Sequence, residues 1–490
     1  MAAAATATSS QKSFSEMDRV LTAKGYAIKK SYLTEDQTKQ LRSELTMKPA
    51  TLDKFQASTP SFPIFGESKA RFYVPRHWGK KTFGEPEADV VPEGLPLPAT
   101  VVANPDFPPH DFQEEIIQLF LAKGANGLVC VPCGYGKTFM ALQIAIRLNR
   151  RFLIVVDKEF LMNQWKAEIE NFIHGARIGI LQGTKVQMDA EQYDVTICMI
   201  QTICRREFPD GFFDQYGLTI FDECHHLGAS YFCKALTKIQ TKCMLGLSAT
   251  PDREDGLSCV FEAYLGDAVY KNIRREPDKE AVVKALWFRS DDPAYDEVPV
   301  NWRGEPITAK LVNQVADFEP RNRRILDLLG EYVQDPHRNI LMISDRISQL
   351  QWFDAAIREQ YPDCPVGFYI GGMKQSVLDE NAARCRILLA TYQMTAEGFS
   401  VKKLNTIVLL TSRKHVEQAS GRIFRERMDT RKVAPHIIDV IDSHPCHMNR
   451  WYIRLRFYRE CHYTIQHIDR PSRRAAMEAE ANSDAPLFTF

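Results

Sequence analysis

The sequence predicts an α/β protein: two parallel-sheet blocks in tandem behind a small α+β module. Three observations predict it. Apolar, strand-like runs alternate with helix-like stretches through two long segments, about 105–275 and 276–468, as in parallel sheets joined by helical crossovers. Most of those runs are apolar throughout, as strands covered on both faces are. Gly127 to Leu148, GLVCVPCGYGKTFMALQIAIRL, reads as strand, glycine loop and helix in immediate succession. At 490 residues the chain is also too long for a single core.

Composition narrows the class. With 44% hydrophobic and 25% charged residues the chain reads as globular. Lys+Arg and Asp+Glu both total 62, so no overall positive field is present, and any nucleic-acid contact must come from local patches. The 12 cysteines are scattered, as reduced thiols of an intracellular protein are. Cys130 and Cys133 form a CxxC inside the glycine loop, where packing thiols fit better than a metal pair. No apolar run approaches the length of a membrane span, and MAAAATATSSQKS lacks the apolar core of a secretory signal. A soluble, intracellular protein is expected.

Taken in order, residues 1–12 are Ala/Ser/Thr-rich and are expected to be disordered. Residues 13–104 make an accessory module and linker. In it, Phe14 to Met47 predicts two helices around Gly25, the second opening after Thr34 with Gln37 three residues on. Ser61 to Gly79 predicts two short strands joined at Gly66 to Ser68, then a basic aromatic loop with Arg76, His77 and Trp78. That loop suits stacking on bases, and equally an aromatic patch against the next domain. Six prolines between Val91 and Pro109 mark a linker.

In the first block, strands fit Leu128–Val131, Phe152–Val156, Val195–Ile200, Leu218–Phe221 and Cys243–Leu247, and Leu161, Trp165, Ile169 and Phe172 form the inner stripe of a helix. In the second, they fit Ala281–Trp287, Ile340–Ile343, Val366–Ile370, Ile387–Ala390, Thr406–Leu410 and His436–Val440. The junction falls in the charged stretch Arg274–Lys279, with Pro277, and residues 469–490 read as a flexible tail.

The glycine loop carries the first chemistry. From Lys137 onward Met140, Ile144 and Leu148 form one apolar stripe, so a helix opens where the loop ends. Its first N–H groups and the positive end of its dipole meet at one spot, which binds phosphate. Gly134 and Gly136 let the backbone curl around the anion, Lys137 reaches the β and γ phosphates, and the Thr138 hydroxyl ligates Mg²⁺. ATP and Mg²⁺ are the expected cofactors. Val131 stands where GxxxxGK[ST] opens on glycine, so a plain strand-to-helix turn is the alternative for this stretch alone.

Leu218 to Phe221 ends directly in Asp222, Glu223, Cys224, His225 and His226. At the carboxyl end of a parallel strand, Asp222 can hold Mg²⁺ through water while Glu223 orients or deprotonates the attacking water. A solvated acidic turn capping the next helix is the alternative. His225 and His226 suit coupling through hydrogen bonds better than a zinc site, for which no further ligands lie at sensible spacing. Leu245 to Thr250, LGLSAT, places Ser248 and Thr250 by the same crevice, as a relay or as a simple strand cap.

VPCGYGKT, DECHH, LGLSATP and QASGRIFR, in that order and at those intervals, resemble superfamily 2 helicases, and most of all the XPB-type group with its relatives in large DNA viruses, such as the poxvirus transcript-release helicase. The resemblance covers about residues 105–465. It implies two RecA-like domains, an ATPase stimulated by nucleic acid, DNA as the favoured substrate with RNA as the rival, movement 3′ to 5′, and transcription machinery or repair as the setting. It places Gln113 where a glutamine reads adenine and VVDKEFLMNQW at motif Ia, with Asp157 in the place of a proline. Arg253, Glu254 and Asp255 resemble an element associated with duplex opening. In TYQMTAEGFS, Thr391 and Thr395 would touch a nucleic-acid backbone and Glu397 and Gly398 would face the nucleotide, with Ser400 where many members have Asp.

A helix over Gln418 to Arg425 puts Gln418, Arg422 and Arg425 on one side at spacings of four and three. In the family this is motif VI, whose arginines act as fingers on the triphosphate; such a finger contributes roughly 10³ to 10⁵ in rate. An ordinary basic helix face is the other reading. With Lys137 and Glu223 on one block and Arg422 and Arg425 on the other, ATP would close the two and hydrolysis would release them. Thr391 and Ser344 would then shift their grip along a strand's phosphates. Arg413 to Lys432, with seven Lys/Arg against three acids, supplies local positive charge. The rivals to a DNA helicase are an RNA helicase, a duplex translocase that leaves strands paired, and an inactive nucleotide-binding scaffold.

Overall fold

The computed structural model describes residues 13–49, 60–132, 134–249, 251–253, 255–272, 278–396, 401–424 and 431–470. Cys133, Thr250, Glu254, Glu397, Gly398, Ser400 and Arg425, both chain termini and most of the predicted junction lie outside the described residues. The chain divides into two compact units, Met1–Ile273 and Arg274–Phe490. No helix among the described residues is long and apolar enough to cross a membrane.

The first unit is built on an eight-stranded sheet whose strands begin, from edge to edge, at Lys185, Ile178, Val195, Phe152, Leu218, Cys243, Asn126 and Ala268. Neighbours run parallel except at the edge, where Lys185–Val186 folds back on Ile178–Gln182. Phe152–Val156 and Leu218–Phe221 are buried along their whole length, which is why both read as unbroken apolar runs. Ile178–Gln182 and Ala268–Lys271 escape that pattern: the first lies next to one edge and the second forms the other, each mixes buried with more accessible positions, and neither carries a long apolar run. Because the central strands share one direction, Cys130, Phe221 and Ser248 all end at the same edge.

The accessory residues fold onto this sheet's layer and share its core, with Tyr26, Ile28, Phe72 and Val74 in one cluster with Leu128, Phe221 and Phe261. The helix expected before Gly25 is instead a hairpin, Arg19–Thr22 paired antiparallel with Gly25–Lys29. Gly25 turns the chain at φ 118°, and a Cβ there would sit 2.6 Å from the Val74 carbonyl oxygen. The pairing of Gly25–Lys29 with Arg71–Val74 is long-range, so local apolar spacing misleads here. The second helix, Glu35–Glu44, has its reciprocal cap: Thr34 N–H donates to Gln37 Oε1 at 3.0 Å and Gln37 N–H to Thr34 Oγ1 at 3.2 Å.

The expected basic aromatic loop is also a helix, Arg76–Phe83. Arg76 is buried and donates to the carbonyls of Thr241 at 2.7 Å and Lys242 at 3.2 Å. The His77 ring lies against Gly266, where a Cβ would approach it to 2.9 Å. Burial, reinforced by the Arg76 and Lys80 charges, pulls the His77 pKa down to about 4, so the ring is neutral. Of the two readings open for this stretch, packing against the next layer describes its arrangement.

The second unit carries a seven-stranded, wholly parallel sheet with strands beginning at Val366, Ile387, Ile340, Thr406, His436, Val282 and Thr464, in that order across the sheet. Thr464–Ile468 went unread because it is an exposed edge strand with polar residues on its open side. An insertion, residues 289–318, leaves the sheet at the carboxyl end of Val282–Phe288.

Candidate nucleotide site

At the edge where the first unit's strands end, the chain passes from Asn126–Cys130 through the glycine loop into the helix Lys137–Leu148. Gly134 and Gly136 have φ 90° and 80°, a region that side chains rarely adopt. A Cβ on Gly136 would also lie 2.5 Å from Gln113 Nε2. The N-cap residue, Gly136, has no side chain to offer the helix's first turn, which begins with Lys137 and the half-buried Thr138. Gln113 is fixed at both ends of its amide: Nε2–H donates to the Tyr135 carbonyl at 3.2 Å and Oε1 accepts from His110 N–H at 3.0 Å. Beside it His110 stacks on Phe112, and Phe112 meets Tyr135 edge to face at 5.8 Å. This aromatic shelf was missed in the sequence, although FPPHDFQ carries His110 and Phe112 and the glycine loop carries Tyr135.

Asp222 and Glu223 follow the strand Leu218–Phe221, and Glu223 adopts a left-handed backbone, φ 44°, uncommon for a non-glycine residue. Trp165 Nε1–H donates to Asp222 Oδ2 at 2.8 Å, and Glu223 N–H to Asp222 Oδ1 at 3.0 Å. The Glu223 carboxylate lies 3.5 Å from Lys137 Nζ and 3.4 Å from His225 Nδ1. Burial and the Glu223 charge raise the pKa of Asp222, only partly opposed by Lys137 and the Trp165 bond. Burial pushes Glu223 the same way, but Lys137 and His225 more than reverse it and hold Glu223 below the usual carboxylate range.

His225 links this pair to its surroundings. Its Nδ1 is 3.1 Å from Ser248 Oγ, its ring lies 4.2 Å from that of His226, and its carbonyl accepts from Arg253 Nη1 at 2.6 Å. His226 Nε2 in turn is 4.0 Å from Asp157 Oδ2. Arg253 is held back by Asp255, Nε to Oδ1 at 2.9 Å. No cluster of three or more His, Cys, Asp or Glu suited to a metal occurs among the described residues. The donor set does suit Mg²⁺: the Asp222 carboxylate and Thr138 hydroxyl are hard oxygens, and Mg²⁺ takes one or two such groups with water and phosphate completing its shell. A cation beside Asp222 would also answer the charge that burial and Glu223 disfavour.

In the second unit Thr391 ends its strand, half-buried. Thr395 is fully buried and its hydroxyl donates to the Tyr392 carbonyl at 3.1 Å. Ser344, also buried, donates to Gln349 Oε1 at 2.7 Å. The single helix expected over Gln418 to Arg425 is instead one α-turn, Glu417–Ser420, running into a 3₁₀ turn, Gly421–Ile423. Gly421, with its poor helix propensity, sits at the change of pitch between Gln418 and Arg422, so their spacing of four is not that of one continuous α-helix. Gln418 is half-buried on the α-turn, and Arg422 is buried, its Nε–H donating to the Thr395 carbonyl at 2.9 Å. Part of the basic stretch is engaged internally: Arg413 pairs with Asp345 and Arg431 with Asp278 at 2.7 Å.

Known proteins resemble this chain. Residues 106–253 match the family described as type III restriction enzyme, res subunit. The chain is 28% identical over 431 residues to a protein of Acanthamoeba polyphaga mimivirus named as a candidate ATP-dependent RNA helicase, covering 86% of this chain and 81% of that one. It is 26% identical over 392 residues to a protein of African swine fever virus with the same kind of name, covering 75% and 76%. A candidate helicase of Invertebrate iridescent virus 6 is 26% identical over 358 residues, covering 68% and 77%. The crystal structure of T4 UvsW aligns with 89% of this chain and 96% of that one, at 17% identity and a TM-score of 0.34.

Proposed function

We propose that this chain, an ATPase of the superfamily 2 helicase type, couples Mg²⁺-dependent ATP hydrolysis to movement along a nucleic acid and separation of its strands. One observation supports this above the others: a half-buried Asp222 and a buried Glu223, the first raised and the second lowered in pKa, with Glu223 set against Lys137 at the mouth of a glycine loop. In this reading residues 105–275 form the ATP-binding domain and 276–468 the second domain. Lys137 and the loop amides hold the β and γ phosphates, with Gly134 and Gly136 giving the backbone room. Glu223, kept ionised, accepts a proton from the attacking water or orients it. Asp222 and Thr138 would hold Mg²⁺, whose charge would offset that developing on the phosphoryl oxygens. Gln113 reads adenine, and Gly398 and Gln418 complete the nucleotide contacts.

Arg422 and Arg425 neutralise charge during phosphoryl transfer, and their replacement by Ala should lower turnover more than ATP affinity. His225, Ser248, Thr250 and Arg253 carry the state of the nucleotide to the nucleic-acid contacts, which include Thr391. DNA as the track, 3′ to 5′ movement and a place beside transcription machinery follow from the XPB-type motifs. RNA is the second reading, supported by the names given to the mimivirus and African swine fever virus relatives.

An ATPase assay with single-stranded DNA, duplex DNA and RNA as separate stimulants tests both. Stimulation by DNA over RNA is expected, weakening with salt at a slope of roughly −0.7 per phosphate neutralised on single strands. Stimulation by RNA alone would move the assignment to RNA, and no turnover with any of them would leave a nucleotide-binding scaffold.

A further inference from the structure

Within the insertion 289–318 of the second unit a fully buried tyrosine and a tryptophan that is 85% exposed stand only a few residues apart. Tyr295 anchors the base. Its hydroxyl donates to Asp442 Oδ1 at 3.0 Å, its carbonyl accepts from His444 Nε2 at 2.8 Å, and the rings of Phe288 and Phe318 lie 5.2 and 5.1 Å from its own. Trp302 occupies the tip of the hairpin 299–307.

The tip is braced. Val300 bridges to Pro306, and Ile307 N–H donates to the Pro299 carbonyl at 2.7 Å. Gly304, at φ 78°, closes the turn on the Asn301 carbonyl at 2.9 Å. Asn301 Oδ1 accepts from the N–H groups of Arg303 at 2.9 Å and Glu305 at 3.0 Å. The Arg303 guanidinium lies over one face of the indole, 4.3 Å from its centre.

The hairpin also has a defined place. It leads into the helix Thr308–Asp317, where the Ala309 carbonyl accepts from Arg346 Nη2 at 3.3 Å and the Asn313 side chain from Arg346 Nε. Arg346 stands at the N-terminal boundary of the helix Ile347–Gln360, which leaves the carboxyl end of Ile340–Ser344. The tryptophan is therefore presented at the carboxyl edge of the parallel sheet, the edge at which such sheets bind their ligands.

Single exposed apolar residues are ordinary, but a tryptophan held outward on a braced turn gives up more burial than any other side chain would. Charge narrows the partner. Residues 289–318 carry three Lys/Arg against six Asp/Glu, a segment that repels a phosphodiester backbone rather than following it. The part of a nucleic acid that is neutral, flat and suited to an indole is the base.

We propose that the hairpin 299–307 is a strand-separating wedge, in which Trp302 stacks on the uncovered face of the terminal base pair of a duplex while the acidic flanks keep the diverging backbones apart. The inference rests on the helicase reading and concerns a different contact from the nucleotide site.

Two measurements on the full chain test it, with Trp302→Ala and Trp302→Phe beside the wild type and melting temperatures to confirm that each folds. The first uses forked DNA and forked RNA duplexes with 2-aminopurine at the base pair next to the fork, bound in the presence of a non-hydrolysable ATP analogue. A change in emission is expected with the wild type and with Trp302→Phe, and its loss with Trp302→Ala. The second counts base pairs opened per ATP hydrolysed, expected to fall about tenfold in Trp302→Ala and much less in Trp302→Phe. Equal emission changes in wild type and Trp302→Ala would overturn the wedge and leave the tip as a surface for a basic protein partner. Loss in Trp302→Phe as complete as in Trp302→Ala would overturn stacking. A wild type that opens no duplex defeats the helicase reading, whereas the emission experiment still decides the hairpin.

Discussion

Both sheets bury carboxylates near their carboxyl ends, and they treat them in opposite ways. In the second unit Asp442 receives Arg321 at two points, Nε to Oδ1 at 2.6 Å and Nη2 to Oδ2 at 2.9 Å, with the Tyr295 hydroxyl as a third donor. Asp439 is met in the same manner by Arg454, at 2.7 and 2.9 Å, and by Tyr458. Burial pushes Asp442 up, but Arg321 more than reverses it, so the group is held below the ordinary carboxylate range. In the first unit Asp222 has an indole and one backbone N–H as donors, an acid as its neighbour, and a raised pKa.

The two aspartates, one fully buried and one half-buried, thus shift in opposite directions because Asp442 has its full complement of cationic donors and Asp222 does not. The first kind of site is architecture. The second holds charge that the fold alone leaves uncompensated, and that is what a divalent ion and a triphosphate need from a protein.

The sharpest break in this comparison comes from the chemical site. Glu223→Gln should cut ATP turnover by roughly 10² to 10⁴ while ATP still binds, and Lys137→Ala should abolish turnover together with tight nucleotide binding. Steady-state hydrolysis and equilibrium binding check both, and normal turnover in either variant would remove these residues from the mechanism. Arg321→Ala should do the reverse, costing about 3–5 kcal/mol of stability because Asp442 is left buried and unpaired. Urea unfolding reads that loss, and Lys137→Ala should show nothing of its size.

Smaller effects sharpen the contrast. Trp165→Phe removes a donor from Asp222 and should weaken Mg²⁺ activation about tenfold, measured by titrating Mg²⁺ in the ATPase assay. Asp222→Asn should raise the melting temperature of the metal-free protein at neutral pH by roughly 2–4 °C although it disables turnover. The sign follows from the raised pKa: the stability contributed by Asp222 is present at low pH and is lost as pH rises through its folded-state value. Wild-type stability should therefore decline relative to Asp222→Asn across the interval above the ordinary carboxylate pKa. A wild-type curve parallel to the variant's would show that Asp222 is already compensated within the fold. By the same shift, binding of Mg²⁺ to the metal-free protein should begin to weaken on acidification before an ordinary carboxylate would protonate.

What could be read along the chain was whatever neighbours along the chain decide. The glycine loop and its helix, the Thr34–Gln37 cap and the apolar strands of both sheets are local patterns, and their boundaries fall within a residue or two of those expected. Placing Lys137, Asp222, Glu223 and Ser248 at one sheet edge needed only parallel strands ending in the right residues. The hairpin at Gly25 and the helix at Arg76 were misread because long-range pairing or packing overrides local preference there, and the broken helix at Gly421 because a glycine's poor helix propensity ends the α-turn.

By itself, then, the sequence determined two parallel sheets and the residue types at their carboxyl ends, since periodicity and backbone preference act between neighbours. Tertiary structure alone decided what those residues experience. Trp165 reaches Asp222 across 57 positions, Arg321 reaches Asp442 across 121, and Trp302 stands in the open while Tyr295 is sealed. Desolvation and Coulomb energy depend on atoms that only folding brings within a few ångströms, so the sign of a carboxylate's shift is a property of the fold.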